Sequence, residues 1–204
     1  MGGEALAVLS VDIEEFSRYL FYTSANYIKR LDEPRNAALR KIVFMENKEL
    51  QLREFEQYLK EDGNLKKLQR IFPVIATTCI SSHKLGDPRP SFDMVIMDEA
   101  SQCNLAVGLV AAIRGENLLL VGDPQQLNPV ILVDPKDNQI LRKHYSVSKE
   151  YDYLENSFYK TYLASDSVSD EILLSYHYRC DRKIIDFNNR KYYNNKLNNH
   201  NIDL

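Results

Sequence analysis

Two apolar runs in the middle of the sequence each lead into acidic residues. The run Val95–Met97 is followed directly by Asp98 and Glu99. The run Leu118–Val121 is followed, after one glycine, by Asp123. Such runs are typical of strands buried on both faces of a parallel sheet, and ligands bind beyond the carboxyl ends of these strands. Three carboxylates at one edge repel one another unless a cation is present, so the pattern predicts a Mg²⁺ site beside phosphate groups.

The acidic pair alone leaves a second interpretation open. A strand that ends in solvated acids would show the same Asp98-Glu99 pair. The segment 122–129, GDPQQLNP, favours the ligand site, because it places a polar, turn-rich stretch at the next strand end. Asp123 also has an alternative role, in which its carboxylate binds backbone amides and fixes the turn.

Composition limits the possible classes of protein. The length of 204 residues predicts one globular domain, or one domain and part of another. The net charge is −3. This charge is not that of a dedicated nucleic-acid binder, although a local basic face would suffice for binding. The three cysteines are widely spaced, which predicts reduced thiols in a cytoplasmic protein. We find no signal peptide and no apolar run that would span a membrane, so no membrane partner is expected.

The first 72 residues predict a helical hairpin or stalk. Helices are expected over about 11–31, 34–60 and 65–71, and the third is basic through Lys66 and Lys67. We favour a hairpin packed on the sheet over a separate functional module.

The rest of the chain alternates predicted strands and helices. Strands are expected over 73–79, 92–98, 117–122 and 171–175, and helices over 105–113, 151–163 and 181–189. The helix over 105–113 makes a right-handed crossover between two parallel strands. The segment 130–150 shows no clear periodicity, and the Asn-rich end is expected to be loose.

Four segments, taken in order, resemble motifs of superfamily 1 helicases. They are ATTC at 76–79, DEAS at 98–101, GDPQQLNPV at 122–130 and YHYR at 176–179. The likeness covers about 73–197 and is to the branch that holds the nonsense-mediated-decay helicase and its DNA-helicase relatives. It implies an α/β fold, a partial RecA-like P-loop NTPase with a parallel sheet, preceded by the helical hairpin. His177 departs from the pattern, since relatives often have Gln or Glu there, and Cys180 stands where many have Met.

The phosphate-binding loop of this family is missing from the sequence. None of the seven glycines precedes a lysine, so GxxxxGK[ST] does not occur. The chain is therefore expected to be an internal piece of a longer helicase-like protein, or a degenerate relative. The expected domains are a helical hairpin or stalk at 1–72, the remainder of a first RecA-like ATPase domain at 73–165, and the start of a second at 166–204.

Resemblance and chemistry together imply roles at an ATP site. Asp98 holds Mg²⁺ through water, and Glu99 orients and deprotonates the attacking water. Gln126 contacts the terminal phosphate of ATP and couples it to domain movement, unless its amide only caps the turn. Arg179 reaches across the cleft as an arginine finger, unless it forms a structural salt bridge.

A nucleic-acid contact is implied at a second set of residues. Hydroxyls and backbone amides at a strand end are suited to hold backbone phosphates, although Thr77 and Thr78 would also suit an ordinary polar loop. The resemblance implies that Thr77, Thr78 and Pro129 contact single-stranded DNA or RNA.

Three function classes remain. The leading one is an ATP-dependent helicase motor, present here as a fragment that is inactive alone and needs the missing portions of the parent chain. The second is a non-catalytic RecA-like scaffold that binds nucleic acid or protein. The third is a metal-dependent nuclease using Asp98, Glu99 and Asp123, which leaves the Gln-Leu-Asn-Pro segment without a role.

Overall fold

The computed structural model describes residues 13–152, 154–166, 168–177 and 181–199. The helices are α1 Ile13–Ile28, α2 Ala37–Val43, α3 Lys48–Lys60, α4 Asn64–Gln69, α5 Leu105–Ala112, α6 Pro135–His144, α7 Phe158–Ser165 and α8 Arg182–Tyr192. The strands are β1 Phe92–Met97, β2 Gly115–Leu120, β3 Tyr176–His177 and β4 Asn198–Asn199. The described residues fall into two compact units, one up to Val95 with Leu109–Asn117, the other comprising Ile96–Gly108 and the chain from Leu118.

The helices of the first unit enclose an apolar core. Its buried members are Leu31, Leu39, Ile42, Tyr58, Leu59, Leu68 and Ile71. Buried Asn64 donates through Nδ2 to the carbonyl oxygen of Tyr58 over 2.9 Å, which satisfies one polar group at the turn between α3 and α4. Phe16 and Leu20 of α1 are about half exposed, so the apolar spacing that predicts this helix does not place them in the core.

The continuous helix predicted over 34–60 is wrong. A 3₁₀ turn at Pro34–Asn36 precedes α2, and the chain then breaks before α3. Asn47 has an extended backbone, and its side chain accepts a hydrogen bond from Leu50 N over 3.1 Å. This is an N-cap, which starts a new helix by satisfying one of its free N–H groups.

The strands β1 and β2 form a two-stranded sheet. Phe92 N donates to Arg114 O near one end, and Val121 N donates to Met97 O near the other. Because the bonded residue numbers rise together, the strands are parallel. The helix α5 connects them, which confirms the predicted strand–helix–strand unit.

Two other predicted strands are absent from the described residues. Over 73–79 the chain is irregular, and Val74 is 87% exposed. Over 171–175 the chain is also irregular, and Ile172 is 81% exposed. The two-residue β3 begins just after this segment and pairs in parallel with β4. Apolar, β-branched composition favours a strand only where a neighbouring strand pairs with it.

The second unit is centred on the start of α7. Phe158 is fully buried, and its N–H donates to Cys103 O over 2.7 Å. The helix α6 was missed by the sequence patterns, although Asp134 caps it by accepting from Lys136 N over 2.8 Å. Among the residues that the structure describes, no helix has the length and apolar character needed to cross a membrane.

Candidate functional site

Asp98 and Glu99 follow β1 directly and turn the chain away from the strand. Glu99 has a left-handed backbone, with φ 52° and ψ 35°. Such a conformation strains a residue other than glycine by about 1–3 kcal/mol, and strained residues of this kind are enriched at functional sites. Glu99 N donates to Asp98 Oδ1 over 2.9 Å, and Gln102 Nε2 donates to Glu99 Oε2 over 3.1 Å. Both carboxylates are exposed, so they are open to a ligand.

Hydrogen bonds join the ends of β1 and β2. Val121 N donates to Met97 O over 2.8 Å, and Ala100 N donates to Val121 O over 2.9 Å. The buried Ser101 then accepts through Oγ from Asp123 N over 3.2 Å. The serine of the DEAS segment therefore ties the acidic end of one strand to that of the next.

The glycine before Asp123 permits this close approach. A β-carbon at Gly122 would lie 3.0 Å from Ser101 N and 3.2 Å from Tyr159 Cδ2. Contacts this short would force the neighbouring atoms apart. A larger residue at Gly122 would thus separate the two strand ends.

Asp123 accepts hydrogen bonds with both carboxylate oxygens. Oδ1 accepts from Gln125 N over 2.9 Å. Oδ2 accepts from Gln126 Nε2 over 3.1 Å and from the Tyr193 hydroxyl over 2.5 Å. The interpretation that Asp123 fixes the turn is confirmed, and its carboxylate also sets the position of the exposed Gln126 side chain.

Two tyrosines near Asp123 titrate above their ordinary range. Burial raises the pKa of Tyr193 to about 12, helped by the hydrogen bond to Asp123 and by its negative charge. Burial also raises the pKa of Tyr159, and the negative charges of Glu171 and Asp123 raise it further. Both shifts favour the neutral, hydrogen-bond-donating form of the hydroxyl.

Asp98, Glu99 and Asp123 lie at the joined ends of β1 and β2, as predicted, but they do not form a three-carboxylate ligand set. Within the described ranges, no group of three or more His, Cys, Asp or Glu side chains is arranged to hold a metal ion. The physical reason lies in the turn, where Asp123 is already engaged by donors from its own loop and from Tyr193. Asp98 as a Mg²⁺ ligand through water needs no such cluster and stays a prediction.

Thr77 and Thr78 lie in the first unit, and both are exposed. Thr78 Oγ1 accepts from Ser81 N over 3.2 Å, which closes the turn into the 3₁₀ segment Ile80–Lys84. The two hydroxyls are accessible, but they follow an irregular segment and not the strand that the sequence predicts. Their role as nucleic-acid contacts stays a prediction.

The remaining predicted residues differ in their placement. Pro129 is buried, so contact between its ring and nucleic acid would need neighbouring residues to move. Arg179 lies outside the described residues, as do Tyr178 and Cys180 of the same segment.

Sequence reasoning missed two residues of this site. Ser101 could have been identified because it is the last residue of the DEAS motif. Tyr193 could have been identified because the stretch KYYNNKL begins like a tyrosine turn of the family that the motifs resemble. Neither pattern reveals a partner, because the bond between Tyr193 and Asp123 joins residues 70 apart in the chain.

Comparisons with known proteins match one family model and several relatives. A family model described as AAA domain matches residues 13–134, more than half of the chain. The DNA replication ATP-dependent helicase/nuclease DNA2 of Mus musculus is 30% identical over 135 residues, which is 66% of this chain and 11% of that protein. The uncharacterized ATP-dependent helicase MG140 homolog of Mycoplasma pneumoniae is 31% identical over 153 residues, 72% of this chain and 13% of that protein. The chain thus spans 11–13% of the length of these relatives.

Proposed function

This chain belongs to the AAA domain family, and we propose that it is part of the ATP-hydrolysing core of an ATP-dependent helicase of superfamily 1. Its helices and short parallel sheet form a partial RecA-like α/β fold. The names of its relatives, which are ATP-dependent helicases, support this function. The phosphate loop would come from other parts of a longer protein.

One observation carries the proposal: two open carboxylates, Asp98 and Glu99, leave β1 beside the turn that holds Gln126. The carboxylate of Asp98 is a hard oxygen donor of the type that Mg²⁺ prefers, and it would hold the ion of ATP–Mg²⁺ through water. Mg²⁺ supplies charge that stabilises the transferring phosphoryl group. We assign to Glu99 the removal of a proton from the attacking water.

The roles of two further residues complete the site. The amide of Gln126 would contact the terminal phosphate, because it is exposed and already oriented by Asp123. Arg179 would supply positive charge to the same phosphate, as an arginine finger does.

We further propose that the parent protein moves along single-stranded DNA or RNA. The exposed hydroxyls of Thr77 and Thr78 and the exposed amine of Lys66 support contact with backbone phosphates. Pro129 would join them only after a local rearrangement. The thiol of Cys79, which is not part of a disulfide, supports a reducing compartment, and we propose the cytoplasm.

The test compares two adjacent substitutions in the full-length protein that contains this chain. Glu99→Gln keeps the size of the side chain and removes the base, so single-turnover hydrolysis should fall roughly 10²-fold or more. Its affinity for ATP–Mg²⁺ should stay within a few-fold of the parent. Asp98→Asn should weaken Mg²⁺-dependent ATP binding as well as turnover, because it removes the charge that holds the ion.

Glu116→Gln is the matched control, since Glu116 is an exposed glutamate on β2. It should leave both affinity and hydrolysis unchanged. Hydrolysis by Glu99→Gln at the parental rate would show that Glu99 is not the base and would end the helicase assignment. A parent that binds nucleic acid without hydrolysing ATP would identify the non-catalytic scaffold instead.

A further inference from the structure

The hydroxyl of Tyr193 is placed to control the loop that carries Gln126. It donates to Asp123 Oδ2 over 2.5 Å, and the same oxygen accepts from Gln126 Nε2 over 3.1 Å. The other oxygen of Asp123 is engaged by Gln125 N. A tyrosine at the end of α8 and a glutamine in the loop after β2 therefore share one carboxylate oxygen.

A built turn holds Tyr193 in this position. The next two residues, Asn194 and Asn195, have left-handed backbones with φ 50° and 59°. Asparagine adopts this conformation more readily than most residues. The buried side chain of Asn189 spans the turn, since its Nδ2 donates to Leu197 O over 2.9 Å and Leu197 N donates to its Oδ1 over 3.0 Å. The turn is thus anchored on α8.

We propose that Tyr193 is a positioning residue of the ATP site, which acts through Asp123 to hold Gln126 in its working orientation. The inference rests on the proposed function, because it assigns Gln126 a contact with the terminal phosphate. The hydrogen bond between Tyr193 and Asp123 links the turn at 193–197 to the loop at 122–129. Movement of the turn would therefore change the position of the Gln126 side chain.

The test uses ATP hydrolysis by the full-length protein, with single-stranded nucleic acid present. Tyr193→Phe removes only the hydroxyl. It should lower kcat about tenfold, the size expected when a hydrogen bond to a charged group is lost, and leave the KM for ATP within about twofold. Tyr192→Phe is the matched control, because Tyr192 is the adjacent tyrosine and contacts Lys191, so its kcat should stay parental.

A double variant separates positioning from general stabilisation. If Tyr193 acts through Gln126, Tyr193→Phe should have no further effect on kcat in a Gln126→Ala background. A second tenfold loss in that background, or a parental kcat for Tyr193→Phe, would overturn the inference. Glu99→Gln measured alongside distinguishes the two failures: if it abolishes hydrolysis while Tyr193→Phe is silent, the proposed function stands and only the role of Tyr193 is wrong. If Glu99→Gln remains active, the proposed function fails and this inference fails with it.

Discussion

Gly108 on α5 lies directly against the ring of Phe158 at the start of α7. A β-carbon at Gly108 would lie 2.3 Å from Cδ2 and 2.5 Å from Cγ of that ring, which is fully buried. Alanine normally stabilises a helix interior relative to glycine by about 1 kcal/mol. Here we expect Gly108→Ala to lower the free energy of unfolding, because overpacking costs about 1–3 kcal/mol. Urea denaturation monitored by circular dichroism measures the change.

A compensating substitution tests the cause of that loss. Phe158→Leu shortens the side chain that the new methyl group would meet. The double variant should therefore lose less stability than the sum of the two single variants. Additive losses would show that the contact with Phe158 is not the reason.

The carboxylate of Asp152 gathers a buried polar network. Oδ1 accepts from Asn138 Nδ2 over 2.9 Å and from Leu154 N over 3.0 Å, and Oδ2 accepts from Arg142. Asp152→Ala should lower the free energy of unfolding by about 2–3 kcal/mol, since it leaves buried donors without an acceptor. Glu155→Ala is the control, because its pair with Lys149 is exposed and 3.8 Å long, and it should change stability by less than about 0.5 kcal/mol.

The same carboxylate makes stability depend on pH. Burial raises the pKa of Asp152, but hydrogen bonds from Leu154 and Asn138 and the charge of Arg142 outweigh it, so the net pKa lies below the ordinary 3.8. The unfolded state therefore binds more protons near this pH, and the contribution of Asp152 is present above pH 3.8 and lost as pH falls through the folded-state pKa. In Asp152→Asn, the midpoint of urea denaturation should fall less steeply as the pH is lowered than it does in the parent. An unchanged slope of stability against pH would contradict this.

Nucleic-acid binding by the full-length protein should be tolerant of sequence and sensitive to salt. Contact between the amine of Lys66 and a backbone phosphate would release counterions on binding, whereas the neutral hydroxyls of Thr77 and Thr78 would add hydrogen bonds. Lys66→Gln should weaken binding to unrelated single strands alike and reduce the salt slope by about 1. Fluorescence anisotropy at several salt concentrations measures both effects.

Lys41→Gln on α2 is the matched control, because Lys41 is also exposed on a helix of the first unit. It should leave the salt slope unchanged. Affinity that does not change between low and physiological salt would show that phosphate contacts do not carry the binding.

Local patterns predicted the elements that bear the acids. The apolar runs before Asp98 and Asp123 lie in or directly after β1 and β2, as predicted. The expected burial of both faces is wrong, because Met94, Ile96 and Leu119 are 52%, 63% and 47% exposed. The motif order also predicted the family, which the comparisons confirm. The domain boundaries at 72/73 and 165/166 stay predictions.

Local composition was misleading where a partner had to be present. The segments 73–79 and 171–175 contain the apolar residues expected of strands, yet they are irregular. A strand is stabilised by hydrogen bonds to a neighbour, and composition alone cannot show whether that neighbour exists.

By itself, the sequence determined which residues could do chemistry: adjacent carboxylates after a strand and a Gly-Asp turn with glutamines. Tertiary structure decided how they are used. It joined Asp123 to Gln126 and Tyr193 by hydrogen bonds, and it set Glu99 in a left-handed backbone. The reason is that residue type and spacing report local preference, whereas a hydrogen bond between positions 70 residues apart depends on how the whole unit packs.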